Sequence, residues 1–294
     1  MSTTKRYSRN YQSDQELTDF IALLKKHRIQ PKKRLGQTFL YKRFISDEIV
    51  RLANITEHDV VIEIGPGLGA LTRPLAEQGA HIIGLEFDMA LVAALQKIVR
   101  EPRVEIVRAD ALHFDYHNVY NQHTTKLKII GNLPYYLTSP LIFKLLTLRP
   151  IIHGMLVMIQ KEVADRLAAQ PGTRAYGTIS IFTQLYCEVK KQLTVTKDNF
   201  YPRPKVDSEI VAFAVRDKPL VAVNDERFFE KLVRASFLRR RKTLLNALKA
   251  TDYFNRGKDR ILEVLTALDI DPQRRPETLS ISEFSKLSTH IMSD

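Results

Sequence analysis

Val60-Val61-Ile62-Glu63-Ile64 runs directly into Gly65-Pro66-Gly67-Leu68-Gly69, and this join decides the fold. The apolar run, expected as a strand over 59–64, lacks polar–apolar alternation, as a parallel strand buried on both faces requires. A glycine-rich turn follows, then a helix expected over 71–78, with Pro74 in the first turns where proline is tolerated. Strand, glycine turn and helix together form an element that binds anions or nucleotides. Further strands are expected over 80–85, 104–107, 127–130, 154–159 and 209–215. Helices are expected over 88–100, 139–148 (Pro140 at its first position) and 161–169. The alternation predicts an α/β protein with a Rossmann-like, doubly wound parallel sheet. In such sheets ligands bind beyond the carboxyl ends of the strands. Gly65, Glu86, Asp110 and Asn132 all fall at such ends.

Upstream of the join the chain is strongly basic. Net charge is +12 over 294 residues, and residues 1–43 hold eleven Lys and Arg against three acids. A basic excess concentrated in this way favours a polyanionic partner, nucleic acid above all. Residues 1–12 read as disordered. A helix starts at Ser13, with Ser13 as N-cap and Glu16 as capping-box partner. Pro31 to Leu40 reads PKKRLGQTFL. Two readings of it stand: Lys32, Lys33 and Arg34 grip phosphate while Gln37 and Phe39 reach a ligand, or the segment is a plain loop with Leu35 and Phe39 in the core. A helix over 46–54, capped by Ser46, follows.

Downstream, a helix and a strand are expected over 176–185 and 188–194. Lys218-Pro219 marks a change to helical spacing over 225–235, 239–249, 258–268 and 282–291, with turns at Asn255-Arg256-Gly257 and Asp271-Pro272. The expected division is therefore a basic extension over 1–30, an α/β catalytic domain over 31–217 and a small all-helical domain over 218–294. Arg239, Arg240, Arg241 and Lys242 open one helix of that last domain. With Lys32, Lys33 and Arg34 they are the candidate RNA contacts, and a solvated face is the alternative for either cluster.

The turn's spacing is Glu-x-Gly-x-Gly-x-Gly, which matches neither the dinucleotide fingerprint nor the P-loop. It resembles the first motif of class I S-adenosylmethionine-dependent methyltransferases. There, Gly65 and Gly67 would let the backbone approach the cofactor, Glu86 would hold the ribose hydroxyls and Asp110 the adenine amino group. Asn132-Leu133-Pro134-Tyr135 resembles the tetrad of methyltransferases that modify exocyclic amino groups. The Asn132 oxygen and the Leu133 carbonyl would accept the two N6 hydrogens and localise the nitrogen lone pair. Pro134 would fix that carbonyl, and Tyr135 would stack on the extruded base.

The runs PKKRLGQTFL, EIGPGLG, GNLPYYLTSPL, FYPRPKVDS and SFLRRRKTLLNAL, spread from Pro31 to Ala247, resemble the ribosomal RNA adenine N6-dimethyltransferases, the small-subunit (16S) branch most. The resemblance implies S-adenosylmethionine as methyl donor and two adjacent adenosines near the 3′ end of 16S rRNA as targets, with a role in small-subunit biogenesis. It implies Gln37, Thr38, Leu40, Gly65, Gly67, Glu86, Asp110 and Asn132 as cofactor contacts. It also implies Phe200 as a second aromatic flanking the base, for which core packing beside Tyr201 is the alternative. The chain departs from the family pattern at Thr38, where Asn is usual, and at Tyr136, where Asn or His is usual. An assembly factor acting by binding, or a large-subunit (23S) resistance methyltransferase, are the competing functions.

The single cysteine, Cys187, excludes an internal disulfide framework and fits a reducing compartment. The polar start and the lack of a long apolar run lead us to expect a cytoplasmic protein. His113 and His117 have H-x3-H spacing in a loop-like stretch without a third ligand, so no metal site is expected. Nothing suggests an oligomer, and a monomer is expected.

Overall fold

The computed structural model describes residues 13–239, 241–250 and 258–292. They belong to two compact units. One comprises the chain up to Ala164 with Glu188–Val215, the other Asp165–Cys187 with the chain from Arg216 onward.

The first unit is built on seven strands: β1 (Val60–Ile64), β2 (His81–Glu86), β3 (Val104–Arg108), β4 (Leu127–Asn132), β5 (Ile152–Gln160), β6 (Cys187–Val195) and β7 (Ser208–Val215). Their order is β3-β2-β1-β4-β5-β7-β6. The first five are parallel, and β7 runs antiparallel to β5, pairing Gln160 with Ser208. All five residues of β1 are buried, which is why its sequence shows no alternation. The order reverses at β1, whose neighbours are β2 and β4. Ile64 and Gly131 are partners across the β1–β4 seam. A Cβ at Gly131 would stand 2.4 Å from the Ile64 carbonyl oxygen, so only glycine allows this approach.

Among the described residues six α-helices belong wholly to this unit: α1 (Ser13–Lys26), α2 (Arg43–Ala53), α3 (Thr72–Ala76), α4 (Met89–Ile98), α5 (Tyr116–His123) and α6 (Thr138–Thr147); α7 (Lys161–Leu167) leads out of it. Several expectations need correction. Helix α2 begins at Arg43 with Lys42 at its N-cap, and Ser46 is a buried residue inside it. The Glu16 carboxylate, expected in a capping box, instead accepts from Lys42 Nζ at 2.7 Å and from the Arg43 backbone N–H at 3.2 Å, tying α1 to the start of α2. Pro140 is the third residue of α6, and α5 occupies a stretch expected as loop.

Phe20, Leu23, Leu24 and Ile29 pack with Phe39, Leu68 and Leu91. The segment expected as a separate basic extension is thus, from Ser13 on, partly built into the first unit's core. The expected disorder of residues 1–12 lies outside the described residues.

The second unit holds α8 (Thr178–Tyr186), α9 (Glu226–Phe237), α10 (Leu244–Lys249), α11 (Lys258–Ala267) and α12 (Ile281–Met292). Residues 165–187, placed by sequence in the α/β domain, cluster here instead. Phe182 meets Phe229 edge-on with ring centroids 6.0 Å apart. The backbone N–H groups of Gly172, Arg216 and Leu220 donate to the carbonyls of Glu277, Tyr186 and Leu185. Arg239, Arg241 and Lys242 precede α10, which starts at Leu244 behind its N-cap Thr243. They therefore lie in a turn, not in a helix. Arg240 and the turn at 255–257 lie outside the described residues.

Candidate active site

A cavity of about 730 Å³ opens at the carboxyl ends of β1, β2 and β4. This is the ordinary size of a site for a cofactor-sized ligand. Gly65, Gly67, Glu86, Asp110 and Asn132 all line it, as do Gln37, Thr38 and Leu40 from the segment after α1. Gly67 has φ of +60°, and a Cβ there would stand 3.1 Å from the Phe39 ring, so the turn presents backbone at this point.

Glu86 holds the turn in place. Its Oε2 accepts from the Gly67 N–H at 3.2 Å and its Oε1 from the Asp88 N–H at 2.9 Å. Burial pushes its carboxyl above the usual range, against the pull of those two donors. Asp88 caps α4 through the Ala90 N–H at 3.1 Å. Burial would raise its carboxyl too, but Lys32 Nζ at 2.7 Å and Gln37 Nε2 at 3.0 Å outweigh burial and hold it low. Gln37 Oε1 accepts from the Lys32 backbone N–H at 2.8 Å. The Lys32 side chain, expected to meet RNA, is thus committed to Asp88, and the Gln37 side chain, expected to meet cofactor, is held by Asp88 and the Lys32 backbone. Lys33 and Arg34 are exposed, and Arg34 reaches the cavity.

Asp110 accepts from the Leu112 N–H at 2.9 Å through Oδ1 and pairs with His113 Nδ1 at 3.0 Å through Oδ2. His113 is therefore a neighbour of the site's acid. His117 sits in the first turn of α5. Among the described residues no group of three His, Cys, Asp or Glu could hold a metal ion.

The tetrad leaves β4 at the same cavity. Asn132 Nδ2 donates to the Thr38 carbonyl at 3.0 Å, which orients the amide and leaves Oδ1 as its acceptor. The Leu133 N–H donates to the Met158 carbonyl on β5 at 3.0 Å. The Pro134 carbonyl accepts from the Leu137 N–H at 2.9 Å and from Thr138 Oγ1 at 3.2 Å, binding the tetrad to α6. Asn132, Leu133 and Pro134 line the cavity. Tyr135 is half-buried, with its hydroxyl buried and without a partner. Phe200 is only 3% exposed, packs with Ile45, Ile49 and Val195, and pairs with Leu40 in a short ribbon. It is a core residue here, as its alternative reading had it.

Phe20, Leu23 and Glu63 are among the lining residues that escaped the sequence reading. Phe20 and Leu23 come from α1. Glu63, the one acid in the β1 run, is buried; burial first, then the Glu86 charge, push its carboxyl up to about 8 against the influence of Thr72. Its Oε2 has no hydrogen-bond partner. A lone acid inside a strand buried on both faces was the signal that could have found it.

The chain is similar to known proteins over most of its length. Residues 28–288 match the family model described as ribosomal RNA adenine dimethylase. The chain is 44% identical over 276 residues to a ribosomal RNA small subunit methyltransferase A from Geobacillus sp., covering 92% of this chain and 94% of that protein. It is 42% identical over 275 residues to the protein of the same name from Bacillus cereus, with the same shares covered. Among solved structures, a dimethyladenosine transferase from Plasmodium falciparum superposes with a TM-score of 0.73 at 29% identity, over 85% of this chain and 95% of that one.

Proposed function

The chain belongs to the ribosomal RNA adenine dimethylase family, and on that premise we propose that it transfers methyl groups from S-adenosylmethionine to N6 of two adjacent adenosines near the 3′ end of 16S rRNA in the small subunit, giving N6,N6-dimethyladenosine. The observation that carries this reading is the meeting of the glycine turn, Glu86 and Asn132-Leu133-Pro134 around one cavity. The names of the relatives support the small subunit as substrate, and with it a cytoplasmic enzyme of ribosome biogenesis.

The residues present fit the cofactor. Gly67 leaves an edge of backbone where a side chain would intrude. Glu86 and Asp110 offer carboxylates to hydroxyl and amino donors. Glu63 Oε2 is a buried polar atom still to be satisfied. When bound, S-adenosylmethionine supplies an electrophilic methyl on its sulfonium. The work of the chain is then alignment. Asn132 Oδ1 and the Leu133 carbonyl accept the N6 hydrogens of the base, and Pro134 keeps that carbonyl fixed. Tyr135 stacks on the base, which must leave its own stack to be reached. Phe200 joins it only if its ring leaves the core. Lys33, Arg34, Arg239, Arg241 and Lys242 bind phosphates, which positions RNA without reading its sequence.

Methyl transfer from labelled S-adenosylmethionine to purified, unmethylated small and large ribosomal subunits, followed by digestion to nucleosides, tests the reading. We expect N6,N6-dimethyladenosine from the small subunit alone. Label on the large subunit, or on neither, would overturn it.

A further inference from the structure

Tyr136 follows the tetrad and is 54% exposed, yet it lines the same cavity as Glu86 and Asp110. Its ring lies 3.6 Å from where a Cβ on Gly36 would stand, so it rests on the turn that leads to Thr38, the acceptor of Asn132 Nδ2. Asn132, Leu133 and Pro134 are held by Thr38, Met158 and α6 without help from this ring. The ring is therefore not needed to build the tetrad. Burial, then the charges of Asp110 and Glu86, push the phenol above its ordinary value. Its hydroxyl stays protonated at neutral pH and remains a donor.

An exposed aromatic surface at the mouth of a cavity is apolar area that a flat heteroaromatic ligand would cover. Stacking of a base on an aromatic side chain tolerates any base, because every base has a π face.

We propose that Tyr136 is a cofactor-binding residue that packs its ring on the nucleoside half of S-adenosylmethionine, the half assigned above to Glu86 and Asp110, and gives its hydroxyl as a further donor there. This rests on the proposed use of that cofactor. Tyr136 then adds to the cofactor contacts of Glu86 and Asp110.

The test is calorimetric binding of S-adenosylhomocysteine to the full chain and to its Tyr136→Phe and Tyr136→Asn variants, with ligand-free thermal midpoints recorded for all three. The Asn variant should bind about tenfold more weakly and the Phe variant within about threefold of the original, on the usual worth of a base–aromatic stack. A tyrosine difference absorbance that accompanies binding in the original chain should vanish in the Phe variant. In turnover, the Asn variant should raise KM for S-adenosylmethionine with little change in kcat. Equal affinity in all three overturns the proposal, as does unchanged affinity with a raised KM for RNA, which would assign the ring to the target base. Weakened affinity in both variants that tracks a lowered ligand-free midpoint would make Tyr136 structural and overturn it too. If the original chain itself fails to bind S-adenosylhomocysteine, the cofactor reading has failed, and the role of Tyr136 falls with it.

Discussion

Asn132 and Thr38, 94 residues apart in sequence, are joined by a 3.0 Å hydrogen bond from the Asn132 side-chain amide to the Thr38 main-chain carbonyl. The acceptor is backbone, so the bond does not depend on which side chain stands at 38. The departure to threonine at that position therefore leaves the orientation of the tetrad untouched. Asn132→Ala should lower methyl transfer by about a hundredfold, the scale expected when a reactant is no longer aligned, while S-adenosylhomocysteine affinity stays within about threefold. Single-turnover transfer and calorimetry measure the two. Transfer that persists at the original rate would remove Asn132 from the chemistry.

Glu86 accepts from two backbone N–H groups, those of Gly67 and Asp88. Glu86→Gln keeps the size but turns an NH2 towards one of those donors. A buried donor left unmet costs about 1–3 kcal/mol. At about 2–4 °C per kcal/mol for a unit of this size, the thermal midpoint should fall by about 5 °C. Cofactor affinity should fall with it, because the glycine turn loses its tether. A variant that matches the original chain in both would deny Glu86 its place under the turn.

Glu63 titrates at about 8 in the folded chain against an ordinary 4.5. Between those values the folded state holds more proton than the unfolded state, so this residue's contribution to stability falls as pH rises through the window. Glu63→Gln cannot ionise. Its thermal midpoint should therefore gain on that of the original chain between pH 5.5 and pH 8, by about 3 kcal/mol in stability at 1.36 kcal/mol per pH unit. Parallel midpoint curves would show that Glu63 is ionised in both states.

Lys32 and its neighbours should separate in salt titrations of RNA binding. Lys33→Ala with Arg34→Ala removes exposed charges and should flatten the salt dependence by about one unit of slope for each phosphate no longer neutralised. Lys32→Ala breaks the ion pair with Asp88; it should leave the slope nearly unchanged and lower the thermal midpoint. Identical slopes for all variants would take this cluster off the RNA.

The sheet was legible because burial on both faces leaves a largely apolar run in its inner parallel strands, β1 above all, and because the ligand-bearing residues sit where such runs stop; β3 at the edge, VEIVR, has no fully buried residue. Gly65, Glu86, Asp110 and Asn132 all reach the cavity for that reason. Helix α5 was illegible because only Tyr116 and Val119 of YHNVYNQH are buried, too few to draw a helical stripe. Glu16 looked like a cap because caps are local patterns, whereas its actual partners, Lys42 and Arg43, lie at the start of another helix. Phe200 is an apolar residue beside a motif, and nothing in its own chemistry tells a core ring from a stacking ring. Residues 165–187 follow the helical spacing of the α/β domain, so only long-range packing such as Phe182 on Phe229 reveals where they belong.

The chain enters the second unit at Asp165, leaves it at Cys187 and returns at Arg216. Synthesis runs from the N-terminus, so α8 emerges before β7, and well before α9, against whose Phe229 it packs Phe182. The nascent chain must carry an apolar helix without its partner while the strand that pairs with β5 is still being made. No single cut yields both units whole. A truncation after Val215 leaves 165–187 stranded with its apolar face uncovered, and a fragment from Arg216 onward lacks a piece of its own interior. The two units are thus interlocked in time of manufacture, and the smaller is completed only when the last helices leave the ribosome.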